Sequence, residues 1–492
     1  MGRSGERFAD PKHPYARDLD IFGRGSLFEL LSAARTEPGE ATLAHWLLEA
    51  ADVETINQRQ VAVAELRGRL DLREKVALLG ADVEFDLSPD ELAAWGEAPP
   101  AVTSRWPVLL ATAAAAINIA SLAAWWWLPY GSIPLLPAIL AGGGFALLWR
   151  RRVGEILGHS TRPRQQLLLL AEFLRLLETE SLSAPALMAL QRRLDRSGAP
   201  ASQRVRQLAR LVEWNDSRRN FVFAPLAAVL MLGSQLAFAI ERWRHEAGRD
   251  ISRWLAAVGE LEALSSLAGF SYENPEDPFP TVLDEGPVFE AAGLGHPLLS
   301  PARCVANDVM LGAELRLLLI SGSNMSGKST LLRSVGVNVV LALAGATVRA
   351  RELRLSQLEV GASLQVVDSL QEGTSHFYAE ITRLRQISEL TAKGSAVLFL
   401  LDEILHGTNS HDRRIGAEGV IQSLVAGGGL GLVTTHDLAL AGIADELGSR
   451  AANVHFEDRI EEGRMIFDYR LREGVVEKSN ALDLMRGLGL DV

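Results

Sequence analysis

Apolar runs of strand length alternate with longer segments of helical periodicity over residues 286–492. Three of these runs lie at 317–320, 397–401 and 432–435, and each leads directly into polar residues. Such alternation is typical of a parallel sheet whose strands are connected by helices. The pattern therefore predicts an α/β domain with a parallel sheet flanked by helices over residues 286–492.

A second pattern is an interval of 44 residues without any charge, bounded by Trp106 and Trp149. It contains apolar runs at 106–128 and 133–149, separated by the turn signal Pro-Tyr-Gly-Ser. The first run is long enough to cross a bilayer core, and the second is at the short limit. Tryptophans at the run ends and arginines on both flanks predict a transmembrane helical hairpin at residues 105–150, with both termini in the cytoplasm. The alternative is a buried hairpin in a soluble domain.

A third apolar run, residues 221–240, is also long enough to span a membrane. It contains Pro225, Gly233 and Gln235, and its two flanks carry similar charge. An odd number of crossings would place the two ends of the chain in different compartments. We therefore predict a buried helix here.

Composition bounds the chemistry of the chain. The single cysteine, Cys304, excludes an intramolecular disulfide and a zinc site built on several cysteines. The net charge is −12, yet residues 150–219 hold 14 arginines and no lysine against 7 acidic residues. A local basic face can bind nucleic acid despite an acidic total. An ordinary arginine-bearing helical surface near a membrane explains the same composition.

The first apolar strand of the α/β region runs into a phosphate-binding loop of the form G-x-x-x-x-G-K-S, followed by a helical pattern. The loop consists of Gly322, Ser323, Asn324, Met325, Ser326, Gly327, Lys328, Ser329 and Thr330. Its glycines permit close wrapping around phosphates, and backbone N–H groups at the helix start supply donors for an anion. Lys328 is predicted to reach the terminal phosphates and Ser329 to ligate Mg²⁺. The chain is therefore predicted to bind a nucleoside triphosphate with Mg²⁺.

Two further strands end in residues suited to hydrolysis. Asp402 closes the apolar run 397–401, where a carboxylate can hold the Mg²⁺ shell, and Glu403 can orient or deprotonate the attacking water. His436 follows the run 432–435 and can sense the γ-phosphate or polarise the water. Strand ends of this kind line the ligand crevice in open α/β sheets.

Two loops leave their role open. Ser375 precedes a helical pattern and can serve as an N-cap or as a phosphate ligand. Residues 406–412, which include His406 and His411, follow the strand of Asp402 and are rich in turn formers. Physical reasoning alone does not choose between capping and catalysis for either loop.

Together these blocks resemble the ATPase domain of the MutS family of DNA mismatch-repair proteins. The resemblance extends over Gly322–Thr330, where the family typically has proline in place of Ser323, and over Ser375-x-Phe377-x-x-Glu380, Leu401-Asp402-Glu403, Gly407-Thr408 and Thr435-His436-Asp437. Residues 13–80 resemble the family's helical core domain, and 160–270 its returning part. The resemblance and the hydropathy pattern together predict four segments: 1–104, the N-terminal part of the core; 105–150, the inserted hairpin; 151–285, a helical core or lever-like region; and 286–492, the ATPase domain.

The chain departs from the family in one informative respect. The family's mismatch reader uses a Phe-x-Glu tripeptide, and this sequence contains none. We therefore expect the mismatch-recognition domain to be absent, and the hydrophobic hairpin lies roughly where the family's levers run out to DNA.

The resemblance implies a homodimer with composite ATP sites, in which Ser375 contacts the nucleotide of the partner protomer in trans. The leading hypothesis is a MutS-like ATPase that binds duplex or branched DNA. The segment from Trp106 to Trp149 would contact membrane lipid, placing the protein at the inner (cytoplasmic) membrane with its other domains in the cytoplasm. The alternatives are a membrane scaffold switched by ATP and a transporter-type ATPase, neither of which binds DNA.

Overall fold

The computed structural model describes residues 3–81, 89–102, 106–159, 164–194, 198–218, 221, 223–364, 376–405, 408–436, 438–461 and 464–476. The first half of the chain is helical. Its helices are α1 (Leu27–Leu31), α2 (Glu37–Leu48), α3 (Val53–Arg67), α4 (Leu70–Ala81), α5 (Pro89–Glu97), α6 (Trp106–Trp127), α7 (Leu136–Ala138), α8 (Gly144–His159), α9 (Arg164–Thr179), α10 (Pro185–Leu194), α11 (Ala201–Ser217), α12 (Ala224–Val229), α13 (Leu232–Ala247) and α14 (Ile251–Glu273).

Side-chain caps define where the first three helices begin. Ser26, Thr36 and Asp52 each accept a hydrogen bond from the backbone N–H three residues ahead. These bonds satisfy donors that have no partner inside a helix, which fixes the helix start. Helix α14 then packs against α2 and α3 and is buried along most of its length, so it forms the centre of the helical body.

A buried carboxylate joins α14 to the start of α2. Glu262 accepts hydrogen bonds from the backbone N–H of Arg35 at 3.0 Å and of Thr36 at 3.3 Å, and from the Thr36 hydroxyl. A Cβ on Gly39 would lie 2.2 Å from the carboxylate, so glycine is needed for this close approach. Burial raises the pKa of Glu262 to about 7, although these hydrogen bonds oppose the shift.

The uncharged interval forms two helical segments whose apolar side chains point outward. The first is α6, and the second comprises a short 3-10 turn, α7, a π-helical stretch at Ile139–Gly143 and α8. Both segments are long and apolar enough to cross a membrane by length and composition. The second continues past the predicted end at Trp149 to His159. Trp127 and Leu148 are each 83% exposed, so these helices are not buried in a soluble core.

The prediction of one buried helix at 221–240 is only partly right. The run divides at Met231, whose φ of 52° is left-handed, into α12 and α13. Phe238 and Ile240 on α13 are buried, whereas Phe221 is 93% exposed and Leu226 on α12 is half exposed. Pro225 at the start of α12 fits a new helix N-terminus, since proline needs no hydrogen-bond partner there.

The second half of the chain is a mixed α/β domain, as predicted. Its elements are β1 (Thr281–Leu283), β2 (Phe289–Leu294), β3 (Asn307–Leu311), β4 (Leu317–Ser321), α15 (Lys328–Ala344), β5 (Glu352–Ser356), β6 (Glu359–Ser363), α16 (His376–Ala392), β7 (Val397–Asp402), α17 (Ser410–Ala426), β8 (Leu430–Thr435), α18 (Gly442–Leu447), β9 (Ala451–Glu461) and β10 (Arg464–Glu473).

These strands form two sheets. The larger has the order β10-β9-β4-β8-β7-β6, in which only the β10–β9 pair is antiparallel. The smaller has the order β1-β5-β2-β3 and contains one parallel and two antiparallel pairs. Helix α15 is buried against β7 of the large sheet on one side and packs against α2 and α3 of the helical body on the other.

Replacing Glu262 with glutamine is expected to change how stability depends on pH. In the parent chain the folded state keeps a proton on Glu262 that the unfolded state releases above about pH 4.5. The free energy of unfolding therefore falls as pH rises from about 4.5 to about 7, by on the order of 2–3 kcal/mol. Glu262→Gln removes this term but keeps an acceptor oxygen, so its stability relative to the parent should increase with pH across that window.

Chemical denaturation at pH 5, 6 and 7 measures this difference. Glu260→Gln is the matched control, because Glu260 lies on the same helix but is partly exposed and paired with Arg193. Parallel pH profiles for the parent and Glu262→Gln would contradict the assignment.

Candidate functional site

The predicted catalytic residues meet at one edge of the large sheet. Strands β4, β8 and β7 are adjacent and parallel, so their carboxyl ends lie side by side. The phosphate-binding loop follows β4, Asp402 ends β7, and His436 follows β8 directly. The three motifs are separated in sequence, and the parallel register brings them together.

The loop between β4 and α15 has the backbone of an anion-binding site. Gly327 has a φ of 106°, and a Cβ there would lie 3.1 Å from the ring of Tyr469. Met325 also has a positive φ of 69°. The hydroxyls of Ser323 and Ser326 are buried and make no hydrogen bond within the described residues. With the N–H groups at the start of α15, they are available to phosphate oxygens.

Lys328 is buried within the loop, with 4% of its side chain exposed. Its Nζ donates to the carbonyl oxygens of Gly322 at 2.9 Å and Ser323 at 2.8 Å, and lies 4.0 Å from a carboxylate oxygen of Glu403. Burial lowers the pKa of Lys328, while the nearby carboxylates of Glu403 and Asp402 oppose this. The Lys328 ammonium therefore lies within the loop, at a position from which it could rotate from the two carbonyl oxygens toward a phosphate.

Glu403 and His436 form a direct contact between the carboxylate and Nε2 of the imidazole. Nδ1 of the same ring lies 3.3 Å from the carbonyl oxygen of Gly322. Carboxylate and carbonyl both accept, so the ring can donate to both only with a proton on each nitrogen. Glu403 also has a left-handed φ of 49°, an unusual backbone conformation that is enriched at functional sites.

Thr434 is a site residue that the sequence analysis missed. Its buried hydroxyl donates to the Asp402 carboxylate and accepts from the backbone N–H of Glu403 at 3.1 Å. One side chain on β8 therefore orients both acidic residues at the end of β7. Only the register between these strands reveals this contact, because Thr434 sits within an apolar run as strand threonines often do.

The donor set present suits Mg²⁺. Ser329, in the first turn of α15, and Asp402 provide a hydroxyl and a carboxylate, which are the hard oxygen ligands that this ion prefers. Mg²⁺ in sites of this type is held by one or two protein ligands together with phosphate oxygens and water. Among the described residues no cluster of three or more His, Cys, Asp or Glu forms a separate metal site.

A cavity of about 750 Å³ extends from the loop toward the smaller sheet. Its lining includes Lys328, Glu403, Tyr469, Val305 and His296. Burial, helped by Arg333, lowers the pKa of His296 to about 4, so the ring is neutral at physiological pH. The sequence analysis gave no role to His296 or Tyr469. Tyr469 lies at a bulge in β10, and no residue pattern predicted that it approaches Gly327.

Asn307 holds that bulge in place. Its side-chain amide donates to the carbonyl oxygen of Tyr469 at 3.0 Å and accepts from the N–H of Leu471 at 2.7 Å. Tyr469 itself has a φ of 55°. The aromatic wall of the cavity is therefore fixed from β3, which belongs to the other sheet.

Ser375, His406 and Gly407 lie outside the described residues, so the role of Ser375 in trans remains a prediction. Helix α16, which follows Ser375, contacts β7. Glu380 on α16 is buried, and its carboxylate accepts from the backbone N–H of Leu405 at 2.5 Å. This contact holds the chain just beyond Glu403 against α16.

Comparison with known proteins finds similarity to the MutS family in the second half of the chain. Residues 318–490 match the family model described as MutS domain V. Over 240 residues the chain is 33% identical to the DNA mismatch repair protein MutS of Brevibacillus brevis, covering 47% of this chain and 27% of the relative.

Two further relatives have other names. Endonuclease MutS2 of Shouchella clausii is 29% identical over 320 residues, which cover 61% of this chain and 39% of the relative. The DNA mismatch repair protein MSH3 of Phaeosphaeria nodorum is 31% identical over 252 residues, covering 49% and 22% respectively. The matches thus span less than half the length of each relative.

Proposed function

We propose that this chain, whose residues 318–490 match MutS domain V, is a Mg²⁺-dependent, MutS-like ATPase tethered to the membrane and acting on DNA as a homodimer. The observation that carries the ATPase proposal is the convergence of Lys328, Glu403 and His436 at adjacent strand ends. A phosphate-binding loop alone accounts for nucleotide binding. The acidic residues and the histidine beside it supply what hydrolysis needs.

Each site residue has a role that follows from its position. Lys328 exchanges its two loop carbonyls for the terminal phosphates, and the hydroxyls of Ser323 and Ser326 donate to phosphate oxygens. Ser329 and Asp402 would hold Mg²⁺, which would supply positive charge to neutralise the phosphates. Glu403 orients and deprotonates the attacking water. His436, in contact with the Glu403 carboxylate, senses the γ-phosphate.

The cavity beside the loop is suited to the base and ribose of the nucleotide. Tyr469 presents an aromatic ring at the edge of the loop, and Val305 and Leu299 add apolar surface. Neutral His296 adds no charge to this pocket at physiological pH. Arg303 is the one charged side chain on this side of the described lining, and the aromatic and apolar surface beside it suits a stacked purine.

Replacing Glu403 with glutamine is expected to leave ATP binding within a few-fold of the parent and to lower the turnover rate by at least about a hundredfold. General-base catalysis contributes roughly 10²–10⁴ in rate, and glutamine keeps the shape without the basic oxygen. Phosphate release under saturating ATP and equilibrium binding of a fluorescent ATP analogue measure the two quantities. Glu314→Gln, in the exposed turn before β4, is the control. Unchanged hydrolysis in Glu403→Gln would refute the role of this residue.

The membrane tether is supported by the exposure of the hairpin. Trp126, Trp127, Leu140, Leu147 and Leu148 are each at least 74% exposed. Removing one such side chain from water is worth about 1.5–3 kcal/mol, and domains have net stabilities of only about 5–15 kcal/mol. A lipid environment removes this cost, and both spans fit a bilayer core. We therefore propose the cytoplasmic membrane as the location, with the other domains in the cytoplasm.

Alkaline washing of isolated membranes tests the tether. The full chain should stay in the membrane pellet after the wash, because spanning helices are not released by disrupting charge interactions. An independent peripheral protein serves as the control for release. Recovery of the full chain in the washed supernatant would exclude the tether.

DNA binding is proposed from the relatives, whose names include DNA mismatch repair. Within the arginine-rich segment 150–219, the candidates for phosphate contacts include Arg192, Arg193, Arg204 and Arg206, and the structure distinguishes among them. Two of these form ion pairs, Arg193 with Glu260 at 2.5 Å and Arg206 with Glu172 at 2.6 Å. Arg192 and Arg210 are exposed and form no ion pair within the described residues, so they are better placed for phosphates.

Substituting both Arg192 and Arg210 with glutamine should weaken binding to duplex or branched DNA and lower the slope of log affinity against log salt by about 2, because each phosphate contact contributes about 1. Arg193→Gln, already neutralised by Glu260, should change the slope less. Fluorescence anisotropy over a salt series measures this on the detergent-solubilised protein. Absence of DNA binding at low salt would instead favour the ATP-switched scaffold or a transporter-type ATPase.

A further inference from the structure

We propose that a cleft beside the hairpin binds one anionic phospholipid of the bilayer, with its headgroup at Arg150 and Arg218. The cleft has a volume of about 800 Å³ and lies between α6, the second hairpin helix and the α12–α13 pair. The proposal rests on the membrane tether and adds to it a specific ligand and binding site. Nothing in the ATPase site takes part in it.

The cleft is lined almost entirely by small or apolar side chains. Leu122 and Leu135 line one end and Leu157 the other, and Ala138, Gly143, Ala146 and Ala228 lie between them. From Leu135 to Leu157 the helix rises about 33 Å at 1.5 Å per residue, which is comparable to a bilayer core. No acidic residue is among the described residues that line it. An acyl chain meets no polar obstacle along most of this surface.

The α12–α13 pair enters the hairpin and returns on the same side. α12 packs against α6, and the chain turns at Met231, which packs with Ala111, Ala114 and Ala115 of α6. α13 then leads back, and the Glu241 carboxylate in its second half accepts from the N–H of Ala101, before α6 begins. This re-entrant path reaches the level of Asn118, about 18 Å along α6 from Trp106.

Side-chain amides donate hydrogen bonds to backbone carbonyl groups at this turn. Val229 and Leu230 end α12, and their carbonyl groups accept from the side-chain amides of Asn118 at 3.0 Å and Gln235 at 2.8 Å. A broken helix is tolerated at membrane depth only where such partners are available. Gln235 and Asn118, which are unusual residues in apolar runs, thereby acquire a function. The cleft is thus part of a built structure within the membrane region.

Arg150 and Arg218 are the charged side chains among the described residues that line the cleft. Arg150 is exposed and forms no ion pair within the described part of the chain. Nε of Arg218 donates to the Asn215 side-chain oxygen at 2.8 Å, which directs the guanidinium against Gly233, where a Cβ would lie 3.1 Å from Nη1. Arginines favour the two-pronged recognition of phosphate oxygens. An anionic phosphodiester joined to acyl chains complements these two arginines and the apolar lining beside them.

Native mass spectrometry of the full chain in a non-ionic detergent tests the proposal, with phosphatidylglycerol or phosphatidylcholine added at equal concentration. One phosphatidylglycerol should be retained per protomer in preference to phosphatidylcholine. Arg150→Gln and Arg218→Gln should each weaken retention about fivefold. Gly143→Leu should reduce retention of both lipids by filling the cleft, since no atom lies within 4 Å of a Cβ there.

Arg151→Gln is the matched control, because Arg151 is 93% exposed, pairs with Glu155 and does not line the cleft. Equal retention of the two lipids, or an equal effect of Arg151→Gln, would overturn the proposal. So would displacement of the lipid by soluble glycerol phosphate, or loss of a dimer in Gly143→Leu without loss of lipid. Membrane retention after alkaline washing and ATP binding are measured on the same variants. If both persist while lipid selectivity is absent, the lipid site fails and the proposed function stands.

Discussion

The buried ammonium of Lys328 constrains the whole α/β domain. Burying a charged group away from water costs free energy unless the group is paired and hydrogen-bonded. Its partners are the carbonyls of Gly322 and Ser323 and, at 4.0 Å, the carboxylate of Glu403. Gly322 and Ser323 follow β4, whereas Glu403 follows β7. The ends of these two strands must therefore both lie within reach of one lysine side chain. The intervening β8 supplies Thr434, which fixes the acidic residues.

The helix that Lys328 begins also joins the nucleotide site to the helical body. Arg333 on α15 pairs with Asp20 at 2.9 Å. Nearby, Asp18 accepts from the N–H of Leu364 at 2.7 Å at the end of β6, and Arg383 on α16 donates to the carbonyl of His13 at 2.6 Å. Residues 13–20 therefore contact α15, α16 and the chain at the end of β6. A ligand that binds one arrangement of these elements more tightly shifts the population toward that arrangement. Because the helical body contacts these elements, the shift would also affect the helical body.

Sequence patterns predicted the parts of this site that local chemistry determines. The glycines, Lys328 and the acidic pair after an apolar strand are recognisable because the loop and strand end require those residue types. Thr434, His296 and Tyr469 were missed, because their roles arise from register and from a bulge held by Asn307. The smaller sheet was missed for a similar reason, since β1 and β5 are short and pair across about 70 residues. The prediction for residues 221–240 was only partly right, because hydropathy does not indicate a turn. The backbone carbonyl groups at this turn accept hydrogen bonds from the side chains of Asn118 and Gln235.

The hairpin is packed onto the same body that carries the nucleotide helix. Phe238 on α13 meets Trp149 and Phe145 of the hairpin in edge-on contacts, and Trp243 further along α13 stacks on Trp95. α13 leads into α14, where the Glu262 carboxylate holds the start of α2, and α2 packs on α15. Continuous packing does not itself establish coupling, which needs an element with two states. At one end of this path lies Lys328 at the start of α15, whose ammonium would exchange its two carbonyl partners for phosphate under the proposed function. At the other end, aromatic contacts join α13 to the hairpin, so a shift of α15 against α2 would have a packed route to the hairpin.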